Sequence, residues 1–402
     1  MSEKLSIKDL DLKGKKALIR VDFNVPIENG EITDDTRIRA ALPTIQYAMN
    51  NGASVLLMSH LGRPKGPEPK SSLAPVAKRL SELLKKTVIM APDCVGNEVK
   101  KMVGALKLGE VILLENLRFH KGEEKPSEEP GFAKSLAELG DVYIDDAFGC
   151  AHRAHASITE VPALFSDRAA FGFLMEKELS FLGEALLHPR KPFYAILGGA
   201  KISTKFNVIK ALMQKADVLM IGGAMAYTFF KAMQIPIGTS LYEPEFVQAA
   251  KEILDAKGKC KIMLPLDIVI TQKVDPSAIS KVIMIQKGIP DGYEGVDIGP
   301  ETIKKYSEEL KKGSTIFWNG PVGIFECPPF AKGTRAIAKV LAGLSATTII
   351  GGGDSVAAVE QAGLAGQMTH ISTGGGASLE LIEFGTLPGI NALSNKQKLE
   401  KE

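Results

Sequence analysis

The 402-residue chain contains no G-x-x-x-x-G-K-[ST] segment, which excludes a P-loop as its means of holding a nucleotide. It has no G-x-G-x-x-G either, and this argues against a standard dinucleotide fold. The 6 histidines show no H-E-x-x-H spacing, so no zincin-type centre is written into a helix. Cysteines number 4 (Cys94, Cys150, Cys260 and Cys327), scattered and without a C-x-x-C pair. That pattern speaks against a disulfide framework or a thiolate metal site and fits a reducing compartment. No apolar run reaches the length of a membrane span, and residues 1–12 alternate charged and apolar positions without a signal-peptide core. We therefore expect a cytosolic protein. A net charge of +2 supplies no general attraction for nucleic acid or an anionic membrane, so any affinity for anions must come from local clusters. The chain also lacks internal repeats.

What is present is a soluble globular composition, 45% hydrophobic and 24% charged, in a chain too long for one ordinary core. Two domains are expected. Short apolar strand candidates alternate with helical stretches throughout: residues 17–21, 54–58, 88–90, 111–114 and 142–144, then 193–197, 218–221, 262–264, 282–285, 315–318 and 347–350. Near-continuous apolar strands of this kind are buried on both faces, as in parallel sheets covered by helices. The rhythm predicts an α/β protein with two doubly wound, Rossmann-like parallel-sheet domains. A boundary is expected over 171–192, where residues 175–182 read as an amphipathic connecting helix between a domain at 1–170 and another at 193–385. Residues 62–75, with four prolines, read as an exposed loop, and the Lys- and Glu-rich stretch after Leu393 as a solvated tail or a last helical turn.

Two glycine runs carry the strongest chemical signal, Gly351-Gly352-Gly353-Asp354-Ser355 and Ser372-Thr373-Gly374-Gly375-Gly376-Ala377-Ser378. Each follows an apolar, β-branched segment. Strand, glycines, hydroxyl and helix form a phosphate cradle, because a chain without Cβ atoms brings its N–H groups close to an anion at a helix N-terminus. Another strand runs into Gly198-Gly199-Ala200-Lys201, and Lys201 and Lys205 stand four apart, on one face of an ensuing helix, within reach of polyphosphate oxygens. Two solvated lysines are the plain alternative. Gly222-Gly223 permits close approach to a flat ligand or a tight helix–sheet contact, and both readings stay open. Asn319-Gly320-Pro321-Val322-Gly323 shapes a rigid loop leading to Glu326, a candidate acceptor for ribose hydroxyls. Asp354 is the best candidate ligand for Mg²⁺, since one carboxylate with substrate phosphates and water makes a normal magnesium site.

The first half sets polar residues at the carboxyl ends of its strands, where open α/β sheets bind ligands. They are Asp22-Phe23-Asn24-Val25-Pro26, Ser59-His60-Leu61-Gly62-Arg63-Pro64, Glu115-Asn116-Leu117-Arg118-Phe119-His120, and Asp145-Asp146 leading to Cys150, His152, Arg153 and His155. Arg37 lies in the first turn of a helix with Asp34 and Asp35 as cap candidates and a buried stripe of Ile38, Leu42, Ile45 and Met49. An arginine there opposes the helix dipole unless an anion joins it. Arg37, Arg63, Arg118 and Arg153 with His60 are suited to a small, multiply anionic molecule. Each arginine taken alone is equally a surface charge or half of an ion pair. The four histidines of the first half are expected to contact anions or pack, and His188 and His370 to be structural.

These segments, together with Gly238-Thr239-Ser240, closely resemble those of the phosphoglycerate kinases, in the same order over nearly the whole chain. The resemblance implies an N-terminal domain for 3-phosphoglycerate or 1,3-bisphosphoglycerate and a C-terminal domain for Mg-ADP or Mg-ATP, with residues 386–402 folding back onto the first. It implies Asp22, Asn24, Arg37, His60, Arg63, Arg118 and Arg153 as the phosphoglycerate ligands. Gly199, Lys201, Lys205, Gly222, Gly223, Leu241, Gly295, Asn319, Pro321, Glu326, Gly352, Gly353, Asp354 and Ser355 would line the nucleotide site. One departure is Cys150, where the family more often has Thr; either a packing difference or an oxidation-sensitive thiol follows.

The implied reaction is reversible phosphoryl transfer between an acyl phosphate and ADP. Its nucleophiles are already ionised near neutral pH, so no general base is needed. Positioning and charge stabilisation must suffice, and we assign them to Arg37, Lys201, Lys205 and the amides near Gly352 and Gly375. Closure about the connector is expected to bring the substrates together. A monomer is expected, with no nucleic-acid or membrane partner. The rivals are an oxidoreductase on a two-domain α/β fold, which requires the missing dinucleotide fingerprint, and a non-catalytic phosphosugar-binding protein, which needs neither the lysine pair nor Asp354.

Overall fold

The computed structural model describes residues 3–396. Residues 397–402, part of the expected solvated tail, lie outside the described residues. The chain divides into two compact units, residues 3–180 with 386–396, and residues 181–385. Each is built on a six-stranded sheet whose paired neighbours all run parallel.

In the first unit the strands are β1 (Lys16–Val21), a small hairpin of β2 (Ile27–Glu28) and β3 (Glu31–Ile32), β4 (Ser54–Met58), β5 (Val88–Met90), β6 (Val111–Leu113), β7 (Val142–Asp146) and β8 (Ala169–Phe171). The main sheet is ordered β5-β6-β4-β1-β7-β8. Every residue of β4, β6 and β7 is buried, as apolar runs covered on both faces must be. Winding proceeds from β1 through β4 to the edge strand β5, returns to β6 between them, then crosses to β7 on the other side of β1. The direction therefore changes between β1 and β7, and at their carboxyl ends no crossover covers the crevice.

The helix Thr36–Asn50 packs beside β1 and β4 through Ile38, Ala41, Thr44, Ile45 and Ala48. Its buried line runs through the alanines, so the backbone sits close to the sheet, while Leu42 and Met49 only flank the contact. Asp34 caps this helix, its Oδ1 accepting from Thr36 N at 2.8 Å. Asp35 forms no cap bond and pairs instead with Arg39 and Arg79, each at 2.8 Å. The proline-rich stretch 62–75 is only partly exposed: Ser71 and Leu73 are buried, and Pro75 opens the helix Ala74–Leu84 with its preset φ.

The end of the described chain belongs to the first unit. Leu5 N donates to Ser394 O at 2.9 Å, Lys4 Nζ donates to Leu393 O at 2.6 Å, and Gly389 N donates to Ala151 O at 2.8 Å. Residues near both ends of the sequence are thus joined in one folded body.

The second unit contains β9 (Phe193–Leu197), β10 (Val218–Ile221), β11 (Lys261–Met263), β12 (Asp267–Thr271), β13 (Ser280–Met284), β14 (Glu294–Ile298), β15 (Thr315–Asn319), β16 (Thr347–Gly351) and β17 (His370–Ile371). Its main sheet is ordered β11-β10-β9-β15-β16-β17, with the change of direction between β9 and β15. The expectation of a doubly buried strand at 282–285 is wrong. That segment forms the edge of a separate antiparallel sheet, β13-β12-β14, where Val282 and Met284 face solvent. The connecting helix spans Phe173–Leu182, and the division between the units falls inside it. No helix among the described residues is long and apolar enough to cross a membrane.

Candidate active site

At the switch point of the first unit, β1 delivers Asp22 and Asn24, and the loop after β7 delivers Cys150, His152 and Arg153. Donor atoms of Asp22, His60 and Cys150 lie within 4.8 Å of one another. Arg37 Nη1 donates to Asp22 Oδ2 at 2.7 Å. Asn24 Oδ1 accepts from Gly62 N at 2.9 Å, so two strand ends are tied together. Arg118 reaches the same glycine, its Nη1 donating to Gly62 O at 2.6 Å, while its Nη2 meets Glu124 at 3.0 Å. Asn116, buried, holds this turn by donating to the carbonyls of Leu61 and Ser71, each at 2.8 Å. Arg153 Nε sits 3.3 Å from His152 Nε2. Arg63 is exposed, one residue beyond this knot.

The cluster is strongly electropositive around a neutral imidazole. Burial first, and then the charges of Arg20, Arg118, Arg153 and Arg37, hold His60 well below its ordinary pKa. Arg20 was absent from the candidate ligands because it stands inside an apolar strand, between Ile19 and Val21. Its presence there was the available signal, since a buried arginine needs partners. It is fully buried: Nε donates to Ser157 Oγ at 2.8 Å, and Nη2 lies 3.3 Å from His60 Nδ1. Buried Glu123 meets Arg20 at 3.8 Å and accepts from Ser157 N and Oγ. A guanidinium only donates, so His60 Nδ1 accepts and the ring proton resides on Nε2.

Other polar residues of these strand ends serve the scaffold. Asp145 and Asp146 are buried, with burial raising their pKa values to about 6 and about 7. Asp145 Oδ1 accepts from Ala147 N, and Asp146 Oδ1 accepts from Leu174 N and Met175 N at the start of the connecting helix. His120 bonds two carboxylates, Asp93 and Glu129, each at 2.8 Å, and stacks on Phe132, so it contacts anionic side chains and packs within the protein. Burial pushes the Cys150 thiol up to about 12, so it packs as a protonated side chain.

In the second unit the two glycine runs meet. Gly352 takes φ +91° and opens the helix Gly353–Gln361. Gly375 opens the helix Gly375–Phe384, and a Cβ on it would lie 2.4 Å from Gly352 Cα. Two helix N-termini therefore converge on one place with no side chain between them. Ser355 Oγ accepts from Gly320 N, joining this cradle to the loop after β15. Asn319 is buried beneath it, and its Nδ2 has no hydrogen-bond partner among the described residues.

Lys201 and Lys205 do not share a helix face. The helix begins at Phe206, because Ile202 is buried in the intervening turn and draws the chain inward. Lys201 is exposed. Lys205 is half-buried, with Nζ donating to Gly198 O at 2.6 Å and Asn319 O at 3.0 Å. Burial lowers its pKa to about 8, against the opposing charge of Asp354. Gly223 packs against Gly199, and Gly222 against Val322, both in loops, while Gly223 also lines the cavity, so close packing and room for a ligand meet at this pair.

A cavity of about 330 Å³ adjoins the cradle, lined by Gly199, Gly223, Leu241, Gly295, Pro321, Glu326 and Asp354 among others. Lys201, Gly222, Asn319, Gly352 and Ser355 are not on its wall. Asp354, exposed in the first turn of its helix, offers hard oxygen donors of the kind Mg²⁺ takes.

The family model described as Phosphoglycerate kinase matches residues 7–384. Phosphoglycerate kinase 3, cytosolic, of Arabidopsis thaliana is 55% identical over 395 residues, covering 96% of this chain and 97% of the relative. The phosphoglycerate kinase of Chlamydia trachomatis serovar L2 is 52% identical over 401 residues, covering 98% and 100%. The solved structure of phosphoglycerate kinase from Coxiella burnetii superposes with a TM-score of 0.86 at 40% identity, over 97% of this chain and 98% of that one. Agreement of this extent, in sequence and fold alike, places the chain in the phosphoglycerate kinase family, glycolytic phosphotransferases with a carboxyl group as acceptor.

Proposed function

We propose that the arginine cluster of the first unit binds 3-phosphoglycerate or 1,3-bisphosphoglycerate and that the glycine cradle of the second binds the phosphates of ADP or ATP. The observation that carries this reading is the chemistry of the two switch points: guanidinium groups around a neutral histidine at one, converging helix N-termini and a half-buried lysine at the other. Asp22, Asn24, Arg37, His60, Arg63, Arg118 and Arg153 hold the acid. His60, with its proton on Nε2, donates to an anionic oxygen while Arg20 fixes the ring.

Transfer runs from the acyl phosphate of 1,3-bisphosphoglycerate to the terminal oxygen of ADP, and the carboxylate leaves without needing a proton. The reverse direction uses that carboxylate as nucleophile. The chain's work is therefore alignment and the spreading of charge over the transferring oxygens. Arg37, Lys201, Lys205 and the amides of Gly352 and Gly375 do this. Lys205 is pre-set against two carbonyls, so it loses little freedom when the phosphates arrive. Asp354 would hold Mg²⁺, which supplies charge neutralisation on the nucleotide phosphates when bound. In-line transfer requires the two ligands to meet, and the helix Phe173–Leu182 is the proposed hinge. We further propose a cytosolic monomer; the relatives include both cytosolic and chloroplastic proteins.

The test is a coupled assay for ATP formation from 1,3-bisphosphoglycerate, paired with calorimetry of each substrate. The proposal expects activity, with 3-phosphoglycerate binding lost in Arg118→Ala and Mg-ADP binding retained. Loss of both ligands together, or absence of ATP formation, would overturn it.

A further inference from the structure

The cavity of the second unit has one polar side chain that the reading above leaves without a task. Tyr227, on the helix Met225–Ala232, is only 3% exposed and lines the cavity. A buried tyrosine hydroxyl normally has a partner, because leaving it dry and unpaired costs free energy. Two other buried tyrosines obey this: Tyr143 donates to Ser157 O at 2.8 Å, and Tyr306 donates to Ile221 O at 2.8 Å. Among the described residues, nothing hydrogen-bonds the Tyr227 hydroxyl.

Its position explains where a partner would come from. A Cβ on Gly295 would fall 2.0 Å from the hydroxyl oxygen, so the bare backbone of β14 is what leaves room for the group at the cavity wall. Gly295 is fixed there, its N–H donating to Ser240 Oγ at 2.9 Å. The same wall carries the apolar Leu241, Val296, Val322 and Ile324. Its remaining polar side chains are the carboxylates Glu294, Glu326 and Asp354, which repel phosphate. An apolar slot with one neutral hydroxyl suits a flat heteroaromatic ring bearing donors or acceptors on its edge.

We propose that the Tyr227 hydroxyl hydrogen-bonds the heteroatom edge of the nucleobase and is a base-anchoring contact of this protein. The inference rests on the reading of the second unit as the nucleotide site. A hydroxyl both donates and accepts, so it serves an amino or an oxo substituent equally.

The experiment compares wild type with Tyr227→Phe using Mg-ADP, and Mg-tripolyphosphate as a competitor that lacks a base. Loss of one neutral hydrogen bond predicts a rise of about three- to tenfold in Kd and KM for Mg-ADP. The turnover at saturation and the tripolyphosphate inhibition constant stay unchanged. Unfolding without nucleotide occurs at the wild-type temperature or above. Unchanged Mg-ADP binding, equal weakening of tripolyphosphate, or a variant that unfolds several degrees lower would each overturn the proposal. A wild type that makes no ATP would instead remove the nucleotide reading beneath it.

Discussion

Arg37 donates from Nη1 to Asp22 Oδ2 at 2.7 Å, so the guanidinium assigned to the transferring phosphoryl group is already aimed by a carboxylate at the end of β1. The arginine remains 38% exposed along its side chain, which leaves its other nitrogens open to a ligand. A surface pair of this kind adds little stability. Removing Arg37 should therefore cost chemistry and spare the fold. We expect Arg37→Ala to lower kcat by roughly two to three orders of magnitude, with an unfolding midpoint near that of wild type. Steady-state kinetics with thermal denaturation checks this, and an unaltered kcat would remove Arg37 from the transition state.

Arg153 should behave differently. It stands in the loop after β7, inside the first unit's cluster, and contributes to holding His60 neutral. Arg153→Ala should raise the KM for phosphoglycerate substantially more than the KM for nucleotide. Initial-rate measurements varying each substrate decide the matter; the opposite order contradicts the assignment of ligands to units.

Lys205 gives a pH dependence with a definite sign. Burial lowers its pKa to about 8, so the free protein loses this charge as the solution passes from pH 7 to pH 9. Phosphate oxygens favour the protonated form, so nucleotide binding above pH 8 should draw in up to about one proton. Calorimetry at pH 8.5 in two buffers of different ionisation enthalpy measures the uptake, which Lys205→Met should abolish. No difference between the buffers would show that Lys205 does not meet the phosphates.

Gly375 tests the cradle by shape alone. Alanine there places a methyl 2.4 Å from Gly352 Cα, against backbone that has no flexible end to swing aside. We expect Gly375→Ala to destabilise the protein by about 1–3 kcal/mol and to weaken Mg-ADP by at least tenfold. Denaturant titration and nucleotide binding read the two effects. Retained affinity would mean that the runs need not touch.

Cys150 should resist chemistry. With its thiol buried and pushed up to about 12, it should stay unmodified by iodoacetamide at pH 8 in the folded protein and react once denatured. Peptide mass spectrometry after timed labelling checks this.

Much of this was legible in the residues themselves. Continuous apolar runs marked five of the six strands in each main sheet, all but the short edge strands β8 and β17, since burial on both faces leaves no alternation to confuse them. The glycine runs were legible because few other residues tolerate that approach of backbone to backbone. The rest depended on tertiary context. Lys201 and Lys205 stand at a helical spacing, yet Ile202 pulls the chain into a turn, and the helix starts only at Phe206. The run at Val282 looks like core, but it pairs antiparallel with β12 at a sheet edge. Arg20 hid in an apolar strand, because its partners Glu123, Ser157 and His60 are far away in sequence. Tyr227 reads as one more apolar helix position until its hydroxyl is found without a partner.

The seam between the two chain ends has a consequence for biosynthesis. The second unit is one uninterrupted stretch of sequence, whereas the first waits for the residues that bond to Lys4, Leu5 and Ala151. On the ribosome, the unit whose synthesis begins first is completed after the second, because its closing segment follows residue 385. A nascent chain stalled near residue 385 would thus carry a finished second unit and an unsealed first one. A ribosome-release assay for such intermediates would see the amino-terminal half remain open to protease until residues 386–396 have emerged.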